Sequence, residues 1–360
     1  MRLALGLAER GLESVSPNPM VGAVLVRRAR ILGKGYHRRY GGPHAEVEAL
    51  AGTKNPRGAD LYVTLEPCGH HGKTPPCAEA IVAAGVKRVF YAVRDPNPLT
   101  RGRGLKTLRR GGVAVIGGLL QEEAAALNAP FFHWMRTGLP WVLLKWAMTL
   151  DGKIATARGE SKWITGEAAR LHSQRLRRRV DAVLVGTETL LADDPLLTPR
   201  PARGRYPVRI LLDRRGRLPL RLRLLASGSV AGPGERIYVT SRSTSQRRLR
   251  LLESRGLQLL TVPVKRQGFQ LEVLLRKLGE LGISQILVEG GAALAGSCLA
   301  GGFVQEVAAY VAPRILGGEE ARGAVGGAGL DLLDTRWLRE PAVRRVGQDI
   351  LIQGRVRSRE

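Results

Sequence analysis

A chain of 360 residues with 44% hydrophobic content is long enough for two domains of ordinary size, each with its own core, and disorder is not the starting assumption. No stretch approaches the roughly 18 uncharged apolar residues of a membrane span, and Glu9 and Glu13 interrupt the apolar pattern of MRLALGLAERGLESVSPNP, which reads as an amphipathic helix of a cytoplasmic protein rather than a signal peptide. The net charge of +26 would ordinarily suggest nucleic acid, but lysines number only ten, the arginines spread from Arg2 to Arg359, and no aromatic residues alternate with the basic runs, so a solvated arginine-rich surface is favoured.

In chain order, periodicity predicts a helix over 3–12, a strand over 21–26, a Gly-rich turn, and a helix over 44–51. A strand over 61–65, a helix over 77–84, a strand over 86–92, a helix near 102–110 and a strand near 113–115 follow. The segment RTGLP, Arg136 to Pro140, reads as a linker between a first domain over 1–137 and a second over 138–360, which opens with a strand in WVLLKWAM. Beyond it come helices over 167–178, 244–255, 270–281 and 292–300, interleaved with strands over 182–185, 208–212, 237–240, 285–288, 306–312 and 350–356. Such alternation predicts α/β architecture in both halves, a sheet covered by helices.

The chain has three cysteines, too few for a disulfide framework, and two of them fall in TLEPCGHHGKTPPC, residues 64–77. His44 opens a helix, Cys68 ends a strand and Cys77 follows Pro75 and Pro76 at the start of the next helix, where backbone N–H groups and the helix dipole favour a thiolate. Three such ligands leave a fourth position for water, the pattern of a catalytic zinc site. Zinc lowers the pKa of a bound water to roughly 7, and a carboxylate beside it can take the proton and pass it to a leaving amine. Glu46, two residues after His44, is placed to be that carboxylate. His-x-Glu followed by Pro-Cys and a second Cys is the signature of zinc nucleobase deaminases. A structural zinc site would instead take a fourth protein ligand, and His70 and His71 are available. Cys298, on the apolar face of its helix, reads as a buried packing residue.

In nucleic-acid deaminases two residues separate the cysteines; here eight do, GHHGKTPP. With SPNPMVGAVLV (16–26), GYHRRYGGPHAEVEAL (35–50), YVTLEPCGHHGKTPPC (62–77) and VRDPNP (93–98), the first half resembles the bifunctional deaminase/reductase family of riboflavin biosynthesis. The resemblance implies a cytidine-deaminase-like domain of three α/β/α layers. It also implies removal of the 2-amino group from a diaminopyrimidinone ribose 5-phosphate, with substrate contacts at Asn18, His37, Lys73, Asp95 and Asn97. Asn18 and Asn97 also have a backbone reading, since both lie in Pro-Asn-Pro turns. Gly69 stands where relatives more often carry serine.

The second half carries VLLKWAMTLDGKIAT (142–156), ESKWITG (160–166), VLVGTETLLADDPLLTPR (183–200), VRILLD (208–213) and ILVEGGAALAGSCL (286–299), which resemble the reductase domain of the same family. That implies a dihydrofolate-reductase-like α/β/α fold using NADPH. No GxGxxG follows the first strand. By resemblance Ala147, Trp163, Thr189, Asp193 and the turn Gly291, Ala292, Ala293, Leu294, Ala295, Gly296 and Ser297 hold the cofactor, while Ser161, Arg177, Leu197, Arg200 and Glu289 hold the substrate, with Lys145 a further contact. Arg177 and Arg200 suit phosphate as guanidinium forks, Glu289 suits ribose hydroxyls, and Arg177 also has a bland reading as a solvated member of RLRRR. After the strand ending at Asp213, relatives often carry a small hydroxyl residue at the cofactor; here Arg214 and Arg215 follow, and either these arginines, Arg214 first, take over the 2′-phosphate of the cofactor or the contact is lost.

The expected protein is therefore a cytoplasmic homo-oligomer, dimer or tetramer, with one zinc per chain and NADPH, acting on a small phosphorylated pyrimidine, with neither nucleic acid nor membrane as partner. The competing expectation is a nucleic-acid editing deaminase with an appended basic RNA-binding domain, which the net charge favours and the cysteine spacing opposes.

Overall fold

The structure is a computed structural model that describes residues 1–71, 75–200, 205–266 and 268–357. The chain divides into two compact units, Met1–Leu139 and Pro140–Glu360.

In the first unit the order is α1 (Arg2–Ala8), β1 (Gly22–Arg27), β2 (Arg30–Tyr36), α2 (Ala45–Ala51), β3 (Asp60–Leu65), α3 (Cys77–Ala83), β4 (Arg88–Val93), α4 (Arg103–Arg110), β5 (Ala114–Gly117), α5 (Gln121–Leu127) and α6 (Ala129–Thr137). The strands form one sheet in the order β2-β1-β3-β4-β5. The β1 pairings with β2 and β3 are antiparallel, and β3-β4-β5 are parallel. Alternation along β1 shows the layering. Ala23 and Leu25 join a core with Ala45 and Ala49 of α2, Ile81 of α3 and Leu105 and Leu108 of α4. Val24, facing the other way, packs with Ala4 and Leu7 of α1, and Leu65 and Ala92 pack with Ala124 of α5 and Phe131 of α6. Successive residues of a strand point to opposite faces, so three α/β/α layers result.

Residues 30–36, read from sequence as a Gly-rich turn, are the edge strand β2. Its glycines serve packing: a Cβ on Gly33 would lie 2.0 Å from Ala49 O, and one on Gly35 would lie 2.4 Å from Ala45 O. Only a bare backbone lets α2 seat this close, and α2 carries the candidate catalytic residues. Arg136 and Thr137 belong to α6 rather than to a linker; the helix ends at Gly138, whose φ of +71° suits glycine.

The second unit runs β6 (Trp141–Thr149), β7 (Lys153–Ala155), α7 (Glu167–Arg179), β8 (Ala182–Val185), α8 (Thr187–Asp193), β9 (Val208–Leu212), β10 (Arg236–Thr240), α9 (Gln246–Glu253) and β11 (Gln258–Thr261). It continues through β12 (Val264–Lys265), β13 (Gly268–Phe269), α10 (Leu271–Glu280), β14 (Gln285–Val288), α11 (Ala292–Ala300), β15 (Glu306–Ala312), β16 (Arg322–Gly323), β17 (Leu338–Val346) and β18 (Asp349–Val356). Nine strands form the main sheet, ordered β11-β10-β9-β8-β14-β6-β15-β18-β17. It is parallel from β11 to β15, and β18 and β17 close it antiparallel. One face buries Leu143, Val183, Leu211, Tyr238 and Leu287 against Leu176 of α7 and Leu252 of α9. The alternate residues Val142, Leu144, Leu184, Ile210 and Val288 are equally buried, so the opposite face is covered too. Ligands of such sheets collect beyond the carboxyl ends of the parallel strands. There Val288 pairs with Leu144, which sets Glu289 beside Lys145. Among the described residues no helix is long and apolar enough to cross a membrane.

Candidate active sites

The first site forms where two helices begin and one strand ends. His44 is the extended N-cap of α2, Cys77 is the first residue of α3 behind Pro76, and Cys68 lies three residues beyond β3. His44 Nδ1 is 3.0 Å from Cys77 Sγ and 3.6 Å from Cys68 Sγ, and the three ligand atoms lie within 4.8 Å of one another. Tetrahedral zinc with bonds of about 2.1 Å to nitrogen and 2.3 Å to sulfur needs ligand separations of roughly 3.5 Å, so this donor set fits a zinc ion. Hydrogen bonding with Cys77 and His44, including the Cys77 backbone N–H 3.3 Å away, draws the Cys68 thiol down to about 4 despite its burial, the thiolate a metal requires.

Glu46 lies in the first turn of α2 at 4% exposure, in a cavity of about 240 Å³ that His44 and Cys68 also line. Burial pushes its carboxyl up to about 7 against the pull of His44. The same cavity receives Asn18, His37, Asp95 and Asn97. With His37 Nδ1 donating to Pro43 O at 3.0 Å, its Nε2 accepts from Asn18 Nδ2 at 3.1 Å, which leaves the Asn18 oxygen as an acceptor. Asp95 Oδ1 accepts the Asn97 N–H and Asn97 Oδ1 accepts the Leu99 N–H, so the backbone reading of this turn holds alongside any ligand contact. Burial raises the Asp95 carboxyl to about 6. Lys73 lies outside the described residues.

Among the lining residues that escaped the sequence reading are Glu66, which accepts the Gly102 N–H at 2.5 Å, and Thr100, whose hydroxyl is 3.3 Å from His70 Nδ1. Glu66 stands two positions before Cys68, and that adjacency was the available signal. His70 turns to Thr100 rather than to the ligand cluster, and His71 is exposed, so among the described residues the cluster has three members.

In the second unit a cavity of about 440 Å³ is lined by Lys145, Ala147, Ser161, Trp163, Asp193, Leu197, Arg200 and Glu289, with Arg177 on the facing stretch of α7. Arg177 is not a solvated member of RLRRR: Nε lies 2.6 Å from Glu289 Oε1, Nη2 lies 2.9 Å from Oε2, and Nη1 donates to Thr198 O at 3.1 Å. The two side chains are only 15% and 10% exposed. Both line the cavity, so the pair presents a guanidinium and a carboxylate at its wall.

Thr189, Arg214 and the Gly291–Ser297 segment lie beyond this lining. Thr189 Oγ is 3.7 Å from the point a Cβ on Gly291 would occupy. Within the segment Ala295 and Gly296 are buried, a Cβ on Gly296 would meet Gly326 O, Ala292 O accepts the Gly326 N–H, and the Ser297 hydroxyl turns back to Ala293 O. Ala295 and Gly296 therefore pack against their own chain, while Ala293 and Ser297 are exposed and Gly291, Ala292 and Leu294 are half-buried. Arg214 is half-buried, and its carbonyl accepts the Ser241 hydroxyl at 2.8 Å; Ser243 Oγ is 2.7 Å from Ser241 Oγ. Cys298 is buried and its thiol is raised to about 12 by that burial, as a packing residue should be.

The sequence model of the cytidine and deoxycytidylate deaminase zinc-binding region matches residues 1–93, and that of the RibD C-terminal domain matches residues 140–352. The riboflavin biosynthesis protein RibD of Actinobacillus pleuropneumoniae is 43% identical over 354 residues, covering 98% of this chain and 93% of that protein. The solved structure of RibD from Acinetobacter baumannii aligns with a TM-score of 0.89 at 39% identity, covering 99% of this chain and 98% of that one. A diaminohydroxyphosphoribosylaminopyrimidine deaminase/5-amino-6-(5-phosphoribosylamino)uracil reductase from Thermotoga maritima aligns with a TM-score of 0.82 at 36% identity, covering 99% and 97%. With a zinc-fitting deaminase cavity in one unit and a second cavity at the strand ends of the other, this chain belongs to the RibD family of bifunctional deaminase/reductases of riboflavin biosynthesis.

Proposed function

We propose that the chain deaminates 2,5-diamino-6-ribosylamino-4(3H)-pyrimidinone 5′-phosphate over residues 1–137 and then reduces the ribosyl side chain to ribityl with NADPH over residues 138–360. The observation that carries the reading is the convergence of His44, Cys68 and Cys77 on one point with the buried Glu46 beside them. His44, Cys68 and Cys77 would hold a zinc ion, whose Lewis acidity would make a water nucleophilic near neutral pH. Glu46 holds and moves the proton: its carboxylate takes it from the attacking water and its acid form delivers it to the departing amine. Burial, which favours the uncharged form of this carboxyl, helps it hold the proton between the two transfers. Asn18, Asp95 and Asn97 offer acceptors to the donor-rich edge of a diaminopyrimidinone, and Lys73 is assigned to the phosphate.

In the second unit Glu289 follows the end of β14 and lies beside Lys145, midway along β6, and both line the cavity where a sugar chain and a nicotinamide could be oriented for hydride transfer. Ala147, Trp163, Thr189, Asp193 and the turn from Gly291 to Ser297 are assigned to the cofactor, and Lys145, Ser161, Arg177, Leu197, Arg200 and Glu289 to the substrate. The reading includes a cytoplasmic homo-oligomer. An editing enzyme with an RNA-binding domain is not favoured, because residues 140–352 match the RibD C-terminal domain. Mass spectrometry of the products formed from the diaminopyrimidinone ribotide with and without NADPH tests the whole scheme: the deaminated ribosyl product alone without cofactor, the ribityl product with it. An unchanged ribotide in both would overturn it.

A further inference from the structure

The residues GHHGKTPP between the two cysteines do more than lengthen their spacing. Cys68 and Cys77 meet at one point, so the chain between them must leave the ligand cluster and return to it. On the way out it sets His70 in the wall of the deaminase cavity, whereas His71 is exposed. His70 turns away from the cluster: its Nδ1 is 3.3 Å from Oγ1 of Thr100, which lies between β4 and α4 and lines the same cavity at 2% exposure. The Thr100 N–H donates to Asn97 O at 3.0 Å, which holds the hydroxyl in place.

Counting protons assigns the roles in this chain of contacts. Asp95, on the same wall, is raised by burial, and hydrogen bonds from the Asn97 N–H and the Thr100 hydroxyl oppose that rise. A carboxylate only accepts and a hydroxyl has one proton, so the Thr100 proton is committed to Asp95 and the Thr100 oxygen accepts from His70. His70 Nδ1 is then the donor, and a neutral imidazole with its proton on Nδ1 carries a lone pair on Nε2. Nε2 has no hydrogen-bond partner among the described residues. Phosphate oxygens are acceptors and do not match a lone pair, whereas the N–H groups of an aminopyrimidinone do.

We infer that His70, oriented by Thr100 and Asp95, offers Nε2 to an N–H of the pyrimidinone, so that the insertion between the cysteines is a substrate-reading segment of the deaminase cavity. This rests on the deaminase reading above and adds to it a residue that the family resemblance did not assign. It also separates the role of His70 from that of Lys73, which is assigned to the phosphate.

The test is steady-state ammonia release by the full chain carrying His70→Phe or His70→Gln, on the diaminopyrimidinone ribotide and on its phosphate-free riboside. Phenylalanine keeps the ring and removes the acceptor, which leaves a buried N–H of the substrate unpaired and raises KM about 5- to 100-fold with kcat little changed. The riboside loses kcat/KM by the same factor, because the contact is to the base. Glutamine, whose Oε1 can stand where Nε2 stood, restores most of the loss. Zinc content and reduction of the deaminated substrate are unaltered in both variants. An unmoved KM in a zinc-loaded His70→Phe protein would overturn the inference. So would a loss confined to the ribotide, which marks a phosphate contact, or loss of zinc, which marks a metal ligand. His70→Gln as impaired as His70→Phe would mark a packing role and overturn it too. An unaltered chain that releases no ammonia would overturn the deaminase reading itself, and this inference with it.

Discussion

Arg177 and Glu289, 112 residues apart in sequence, form a two-bond ion pair with side chains only 15% and 10% exposed. Burial alone would raise the Glu289 carboxyl; the charge and hydrogen bonds of Arg177, with Lys145 behind them, outweigh it and hold the carboxyl below its usual value. Removing one member of a buried pair strands the other, at about 3–5 kcal/mol. Glu289→Ala should therefore lower the stability of the second unit by about that amount, and Arg177→Met combined with Glu289→Gln should lower it by less than the sum of the single changes. Denaturant unfolding measures this. Because the folded carboxyl titrates below its unfolded value, the pair's contribution is full above the ordinary carboxylate range and fades as pH falls through the lowered value. A Glu289→Ala loss under about 1 kcal/mol would show that the pair is not a buried one in solution.

Metal content distinguishes the cysteines. Cys68→Ser and Cys77→Ser should lose zinc, whereas Cys298→Ser should keep one zinc per chain, since Cys298 is buried in the other unit and only Cys68 and Cys77 join His44. Zinc retained in full by Cys68→Ser, or lost by Cys298→Ser, would reassign the site.

Gly69 directly follows the ligand Cys68, and a Cβ there would lie 2.4 Å from the Gly104 nitrogen and 2.6 Å from the Arg103 carbonyl carbon. Both are backbone atoms at the start of α4, so neither can swing aside. Gly69→Ser in this chain should destabilise the first unit by roughly 1–3 kcal/mol, the usual range for overpacking. A melting temperature equal to that of the unaltered chain would show that α4 moves at no cost.

The zinc cluster was legible in the sequence because each ligand is fixed by local structure: a helix N-cap, a strand end, a helix start after prolines. The second cavity was less so. Nothing local to RLRRR says that Arg177 faces inward to Glu289; only the sheet brings them together. The same holds for the fold. The sequence reading left α5 and α6 out, and the break between them falls at Asn128, whose amide bonds both the N–H and the carbonyl of Met20, 108 residues away. It also left out β17, whose Glu340, Pro341 and exposed arginines belong to an edge strand that needs little apolar pattern.

Cofactor preference tests the arginines after β9. If the guanidinium groups of Arg214 and Arg215 take the 2′-phosphate, NADPH should be preferred over NADH. Changing both arginines to alanine should shrink the preference by about one to two orders of magnitude, the worth of a charge-assisted bond. Equal use of the two dinucleotides by the unaltered chain would remove these arginines from the cofactor site.

The central claim is that two independent sites act in series, and Glu46→Gln tests it most directly. The amide is nearly isosteric and cannot carry the proton, so ammonia release from the diaminopyrimidinone ribotide should fall by about 10⁴ or more, the upper end for a positioned acid/base that serves both transfers. The zinc should remain, and NADPH oxidation with the already deaminated substrate should proceed at the unaltered rate. A folded, zinc-loaded Glu46→Gln protein that still releases ammonia normally, or that has also lost reduction of the deaminated substrate, would contradict the account.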